Sequence, residues 1–221
     1  MIKRITQIIE KTALGRKLLE DNLFRTLLFT AVNMGINLLY GIINGILGIA
    51  YASSWYYTMF AYYILLGLIK LYVVTAHQRA DERTFCRKAP RVAGVGILLV
   101  AVILTMVVML TISGAVGRKR NIVVMITIAT FTFIIVISTA INTVKAHRKK
   151  DMLTIILRDI ACSSAVGSVL SLERSMLTTF GEGADSTRFV IEGITGLAGF
   201  IFIAFLALQL FVYSSKYKKA D

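Results

Sequence analysis

Two carboxylates, Asp159 and Glu173, stand inside one long apolar stretch, Met152 to Phe180, each beside an arginine, Arg158 and Arg174. An ionised side chain at membrane depth is expensive, so such residues mark a functional site by default. On a helix the two acids return to nearly the same face, with Ser163 and Val166 between them. At a rise of about 1.5 Å per residue, Asp159 lies about 10 Å in from the start of the stretch. Lys70, near the inner end of another apolar stretch, reaches a similar level, and a pair between Lys70 and Asp159 is expected. Towards the other end the same counting gathers Glu173, Arg174, Arg188 and Glu192 into an outer polar cluster. Two readings follow. The clusters are ion pairs that let charged residues exist in apolar helices, or they are the inner and outer ends of a polar route for a cation or proton.

A second set of polar groups supports either reading. Asn33, Asn37 and Asn44 fall within about 40° on one side of a helix, flanked by Gly41, Gly45 and Gly48. Small residues four apart let helices approach closely in lipid, and Asn side chains bond across the contact. The stripe is thus a packing face or one wall of a substrate path. Thr127, Thr130, Thr132, Ser138, Thr139, Asn142 and Thr143 enrich another stretch in polar groups. Hydroxyls of this kind bond their own preceding turn, so they argue only weakly for a pore.

The elements that hold these residues are membrane helices. With 57% apolar side chains and 17% charged ones in 221 residues, and a mean hydropathy of +0.74, the chain has more apolar surface than a soluble fold of this size buries. A spanning helix needs roughly 20 apolar residues. Six stretches qualify, at about 27–51, 55–76, 92–116, 122–144, 152–175 and 189–213, and the fifth is the least apolar. Each Asp, Lys or Arg at a helix centre costs about 2.5 to 3.5 kcal/mol unless partners or an interface relieve it. The expected class is an all-α polytopic membrane protein, a six-helix bundle over residues 26–213. Eighteen Lys and Arg on one side against five on the other place both termini in the cytoplasm by the positive-inside rule. The block Arg118-Lys119-Arg120 runs against that trend.

Residues 1–25 space Ile2, Ile5, Ile9 and Leu18 at helical intervals among Lys3, Arg4, Lys11 and Arg16. This pattern suits an amphipathic helix on the inner membrane surface or one packed on the inner loops. Residues 214–221 read as a basic cytoplasmic tail, and about fifteen residues from His77 to Arg91 as an inner loop. Pro90 sits just before the third span, where it can start a helix. The net charge of +13 belongs to blocks beside apolar spans. It points to anionic lipid headgroups and away from nucleic acid. Cys86 and Cys162 fall on different elements and read as free thiols. No enzyme motif, metal-ligand spacing or cofactor loop is present in the sequence, so neither an enzyme nor a cofactor is expected. A homo-oligomer remains open.

The run Asp151 to Leu172 resembles the fifth helix of the cation diffusion facilitators, with Asp159 and Ser163 at two positions of that helix's motif and Ile155 where a histidine would stand. Gly41 to Lys70 is similar to the end of that family's first helix, its outer turn at Ser54 and its second helix. Phe60, Tyr63 and Gly67 occupy the ligand positions there, so the resemblance implies a facilitator-like membrane domain with a degenerate metal site. The motifs Asn37-Leu-x-Tyr40, Tyr62-Tyr63-x-x-Leu66 and Ser171-Leu-Glu-x-x-Met-Leu177 also resemble a family of bacterial six-span proteins that supplies no function to borrow. The expectation is a transporter-like protein of a bacterial plasma membrane, for a cation or small solute. Its path residues are Asp159, Ser163, Asn33, Asn37 and Asn44, with Lys70 as inner partner. The alternative is a non-transporting membrane interaction or accessory subunit.

Overall fold

The computed structural model describes residues 22–112, 122–149, 151–180 and 185–218. Six helices follow one another: α1 (Asn22–Tyr51), α2 (Ser54–Arg79), α3 (Glu82–Ile112), α4 (Ile122–Lys149), α5 (Met152–Phe180) and α6 (Asp185–Lys218). All six are long and apolar enough to cross a membrane, and the chain is an all-α, multi-pass integral membrane protein. The expected amphipathic helix lies outside the described residues over 1–21, as does the block Arg118-Lys119-Arg120.

Consecutive helices run in opposite directions. Along α1 and α2, Asn33 meets Lys70, Gly41 meets Tyr63 and Gly48 meets Tyr57, so numbers rise on one helix as they fall on the other. The same reversal relates α4 to α5, where Thr132 reaches Ser168 and Thr139 reaches Ala161. One end of the bundle therefore carries the start of α1 and the end of α6, here called the termini end.

One of the two least apolar spans occupies the centre. α5 packs on α2, α3, α4 and α6, and 67% of its span is buried, against 17% for α4 at the periphery. This placement resolves the cost of its charges. A polar residue facing protein can find partners, whereas one facing hydrocarbon cannot. Outward positions such as Ile49, Val102, Phe133, Ile194 and Phe205 are exposed and apolar, as a lipid-facing surface requires.

The α1–α2 turn closes with two backbone bonds, Ser53 N–H to Gly48 O (3.2 Å) and Ala52 N–H to Ile49 O (3.4 Å). Together they satisfy the last carbonyls of α1 in a Schellman arrangement. Ala52 takes the left-handed φ of 47° that this motif demands. Beyond the turn, the glycine stripe of α1 lies directly on α2. A Cβ at Gly45 would sit 3.0 Å from the Phe60 ring, and one at Gly48 the same distance from Tyr57. The stripe is therefore a packing face spent within the chain. Gly45→Leu should separate α1 from α2 and cost about 1 to 3 kcal/mol. A lowered melting midpoint in detergent with unchanged oligomeric state is the expected result, and wild-type melting would contradict it.

The loop between α2 and α3 is shorter than the sequence suggests. α3 begins at Glu82, and Pro90 lies inside it. The proline removes one backbone donor, yet Phe85 and Ala89 are buried beside it, so packing holds the first turns of α3 in helix despite their charges. Asp81, a good helix-starting residue, accepts the Phe85 N–H through its backbone oxygen at 2.9 Å. At the other end of the chain, α6 continues to Lys218, so the tail expected from residue 214 is helical that far. Ser214 joins α6 to α3: it donates to Arg87 O at 2.9 Å and accepts from Arg91 Nε at 2.8 Å.

Candidate functional site

The central helix carries a buried polar seam. Asp151 starts α5 by accepting the Thr154 N–H at 3.3 Å, a capping role suited to an aspartate. Asp159, Ser163, Ser164, Ser168, Ser171 and Arg174 then follow one another over about half the circumference of the helix, and all are buried. From Asp159 to Glu173 the seam rises about 21 Å along the helix axis.

Neighbouring helices converge on this seam. Tyr62 of α2 donates its hydroxyl to Ser163 O at 2.5 Å, and Ser164 donates to Asn37 Oδ1 of α1 at 2.9 Å. From α4, Thr132 donates to Ser168 O at 3.1 Å and Thr139 to Ala161 O at 3.0 Å. Other α4 hydroxyls, at Thr127, Thr130 and Thr143, bond their own preceding turn, as expected for Thr in a membrane helix. Tyr40 packs edge-on against Tyr63 with ring centres 4.6 Å apart, and Phe131 lies tilted against Tyr40 at 5.5 Å.

Several polar atoms in and beside the seam are buried without a hydrogen-bond partner among the described residues: Asp159 Oδ2, Asn37 Nδ2, Ser171 Oγ and Asn44 Oδ1. Lipid tails cannot satisfy them, and a buried donor or acceptor left alone costs about 1 to 3 kcal/mol. Groups of this kind in a bundle interior hold ordered water or a bound polar solute.

The pair expected between Lys70 and Asp159 does not form. Lys70, 2% exposed, donates to Asn33 Oδ1 at 2.8 Å. Asp159 turns instead to its chain neighbour: Arg158 meets Asp159 Oδ1 through Nη2 at 2.7 Å and Nε at 2.8 Å. Adjacent residues can pair without any second helix, and that local charge-assisted contact, two guanidinium nitrogens on one carboxylate oxygen, wins. The path candidates otherwise divide. Asn33 bonds Lys70 of α2, Asn37 bonds Ser164 of α5 and Ser163 accepts from Tyr62 of α2, while Asp159 keeps to Arg158 of its own helix and Asn44 donates to its own Tyr40 O at 2.8 Å, higher on α1.

At the opposite end of the bundle, Arg174 lies 3.5 Å from Glu192, and its guanidinium stands 4.1 Å over the Trp55 ring. Thr195 donates to Glu173 Oε1 at 3.1 Å. Trp55, Glu173, Arg174 and Glu192 line a crevice whose apolar walls are Val107, Val108 and Leu170. Three of the four residues expected in the outer cluster therefore meet. The side chain of the fourth, Arg188, lies outside those described. Trp55, Tyr62, Ser164, Ser168 and Ser171 were missing from the sequence reading. At about 100° per residue Ser164, Ser171 and Ser168 turn through about 140°, 120° and 180° from Asp159, so single-face spacing does not mark them, and only their enclosure by neighbouring helices does. No family model, curated protein or solved structure matches the chain.

Proposed function

We propose that this membrane protein moves a cation or small polar solute along the α5 seam, with Asp159 as its charged element. The observation that carries the reading is the set of buried, unpartnered polar atoms strung along the seam, above all Asp159 Oδ2. An ionisable group in a bundle interior, lined by neighbours with unspent hydrogen-bonding capacity, is what a path for a polar species needs. Asn37 and Ser164 form one wall, and Tyr62 with Ser163 another. The resemblance of Asp151 to Leu172 to the facilitators supports the same assignment, with a metal site that has lost most of its ligands. The setting we propose is a bacterial plasma membrane with both termini in the cytoplasm and the basic segments on anionic headgroups. The rival reading, an accessory subunit docking through the α1 glycine face, loses support because that face is occupied by Tyr57, Phe60 and Tyr63 of α2. The test is flux in proteoliposomes holding a pH-sensitive dye, challenged with gradients of inorganic and organic cations. Cation-driven movement of protons or of labelled cation is expected. Liposomes indistinguishable from protein-free controls across the panel would overturn the reading.

A further inference from the structure

The crevice at the end of the bundle away from the termini has the chemistry of a binding site for an organic cation. Its described lining includes two carboxylates, Glu173 and Glu192, and one guanidinium, Arg174, set among aliphatic walls. A cation is favoured there by the carboxylates and the aromatic face, and an apolar body by the walls. The face of Trp55 is the third element. It already holds a positive group, since the Arg174 guanidinium lies over the ring at 4.1 Å while reaching Glu192 at 3.5 Å. Aromatic face and carboxylate together form the half-cage that recognises alkylated ammonium groups. Arg174 fills it as an internal surrogate.

One more group on this wall calls for a ligand. Trp55 is 6% exposed, and its indole Nε1–H is buried with no acceptor. A ligand that carries an acceptor oxygen near its cationic centre would satisfy that donor.

We infer that this crevice binds an organic monocation bearing a hydrogen-bond acceptor, which displaces Arg174 from Trp55 and Glu192. The inference deepens the proposed function by naming a substrate class, and it rests on that reading only in treating the bound cation as cargo. Displacement gives it a signature that simple structural support does not. Removing the internal competitor should tighten binding, and removing the carboxylate should weaken it.

Trp55 is the single tryptophan of the chain, so its fluorescence reports this site alone. Purified protein would be titrated with acetylcholine as probe, with its neutral isostere 3,3-dimethylbutyl acetate, and with sodium chloride at matched ionic strength. A saturable change with acetylcholine only is expected. Arg174→Gln should tighten it about tenfold and Glu192→Gln weaken it about tenfold, each near 1.4 kcal/mol. An equal response to the neutral isostere would reduce the crevice to an apolar slot, an equal response to sodium would make it an inorganic cation site, and no response would remove it; each overturns the inference. These arms use the native chain, so they decide the matter even if a variant fails to fold. Binding without flux would sink the transport reading alone, and flux without binding would sink this inference alone.

Discussion

Asp159→Asn is expected to cut cation flux by about a hundredfold, near 2.7 kcal/mol on the barrier, while leaving the fold in place. The substitution keeps the shape of the side chain and one acceptor oxygen, and it removes the charge. In the native chain Oδ1 serves Arg158 at 2.7 Å, and Oδ2 has no partner, so the second oxygen is the atom available to a passing cation or proton. The stability cost of losing a buried ion-pair partner reaches about 3 to 5 kcal/mol when the remaining charge is trapped. Here it is not trapped. The Arg158 side chain is 23% exposed and lies within two turns of the start of α5, so it can extend to the interface. The expected loss is therefore nearer 1 kcal/mol, seen as a small fall in melting midpoint. Native flux in the variant would show that Asp159 only anchors Arg158.

The largest loss of stability is expected at Gly167. A Cβ there would stand 2.5 Å from Tyr62 Cε1 and 2.9 Å from Cζ, and the ring has no room to retreat because Tyr62 is fully buried. Moving it also breaks the bond from the Tyr62 hydroxyl to Ser163 O. Overpacking of this kind costs about 1 to 3 kcal/mol, and a stranded buried hydroxyl adds about 1 kcal/mol or more. Gly167→Leu should therefore destabilise the protein by more than about 3 kcal/mol. Combining it with Tyr62→Leu should recover part of that loss, because the two sites share one contact. Melting curves of the singles and the double measure the coupling. A Gly167→Leu protein that melts like the wild type would mean that α2 and α5 do not meet this way.

Much of the architecture was legible in the chain. Uncharged runs such as Leu27 to Tyr51 and Val92 to Val116 have no stable home outside a bilayer, and six helices of the expected class follow. What the linear pattern could not reveal was which helix is central. α5 reads as the weakest span because Asp159, Glu173 and its serines lower its apolarity, and those same residues are tolerated because the helix is enclosed. Burial is a property of neighbours, and no window along one segment contains it. The start of α3 was missed for a related reason: Arg83, Arg87 and Lys88 look like loop residues, while the buried Phe85 and Ala89 between them hold the helix.

The candidate site was legible in type and less so in pairing. Helical counting gathered Glu173, Arg174 and Glu192 at one end, and Arg174 stands 3.5 Å from Glu192. It also expected Lys70 to pair with Asp159, but counting along separate helices does not decide which partner a flexible side chain takes. Arg158, one residue away, was closer than any residue on another helix. Trp55 was invisible as a site residue because an aromatic near a membrane interface is ordinary in sequence, and only its position under Arg174 gives it a role.

The central claim, that the α5 seam is a route for polar species, is tested most directly by asking whether water-borne reagents enter it. Single cysteines would replace Ser163, Ser164 and Ser171 in a chain with Cys86→Ser and Cys162→Ser, beside Ile137→Cys on the lipid-facing side of α4, where Ile137 is 59% exposed. Each would be treated with a small membrane-impermeant cationic thiol reagent. The account predicts modification at the three seam positions under native conditions and none at residue 137. Seam cysteines that react only after denaturation would show a dry, sealed bundle and contradict it.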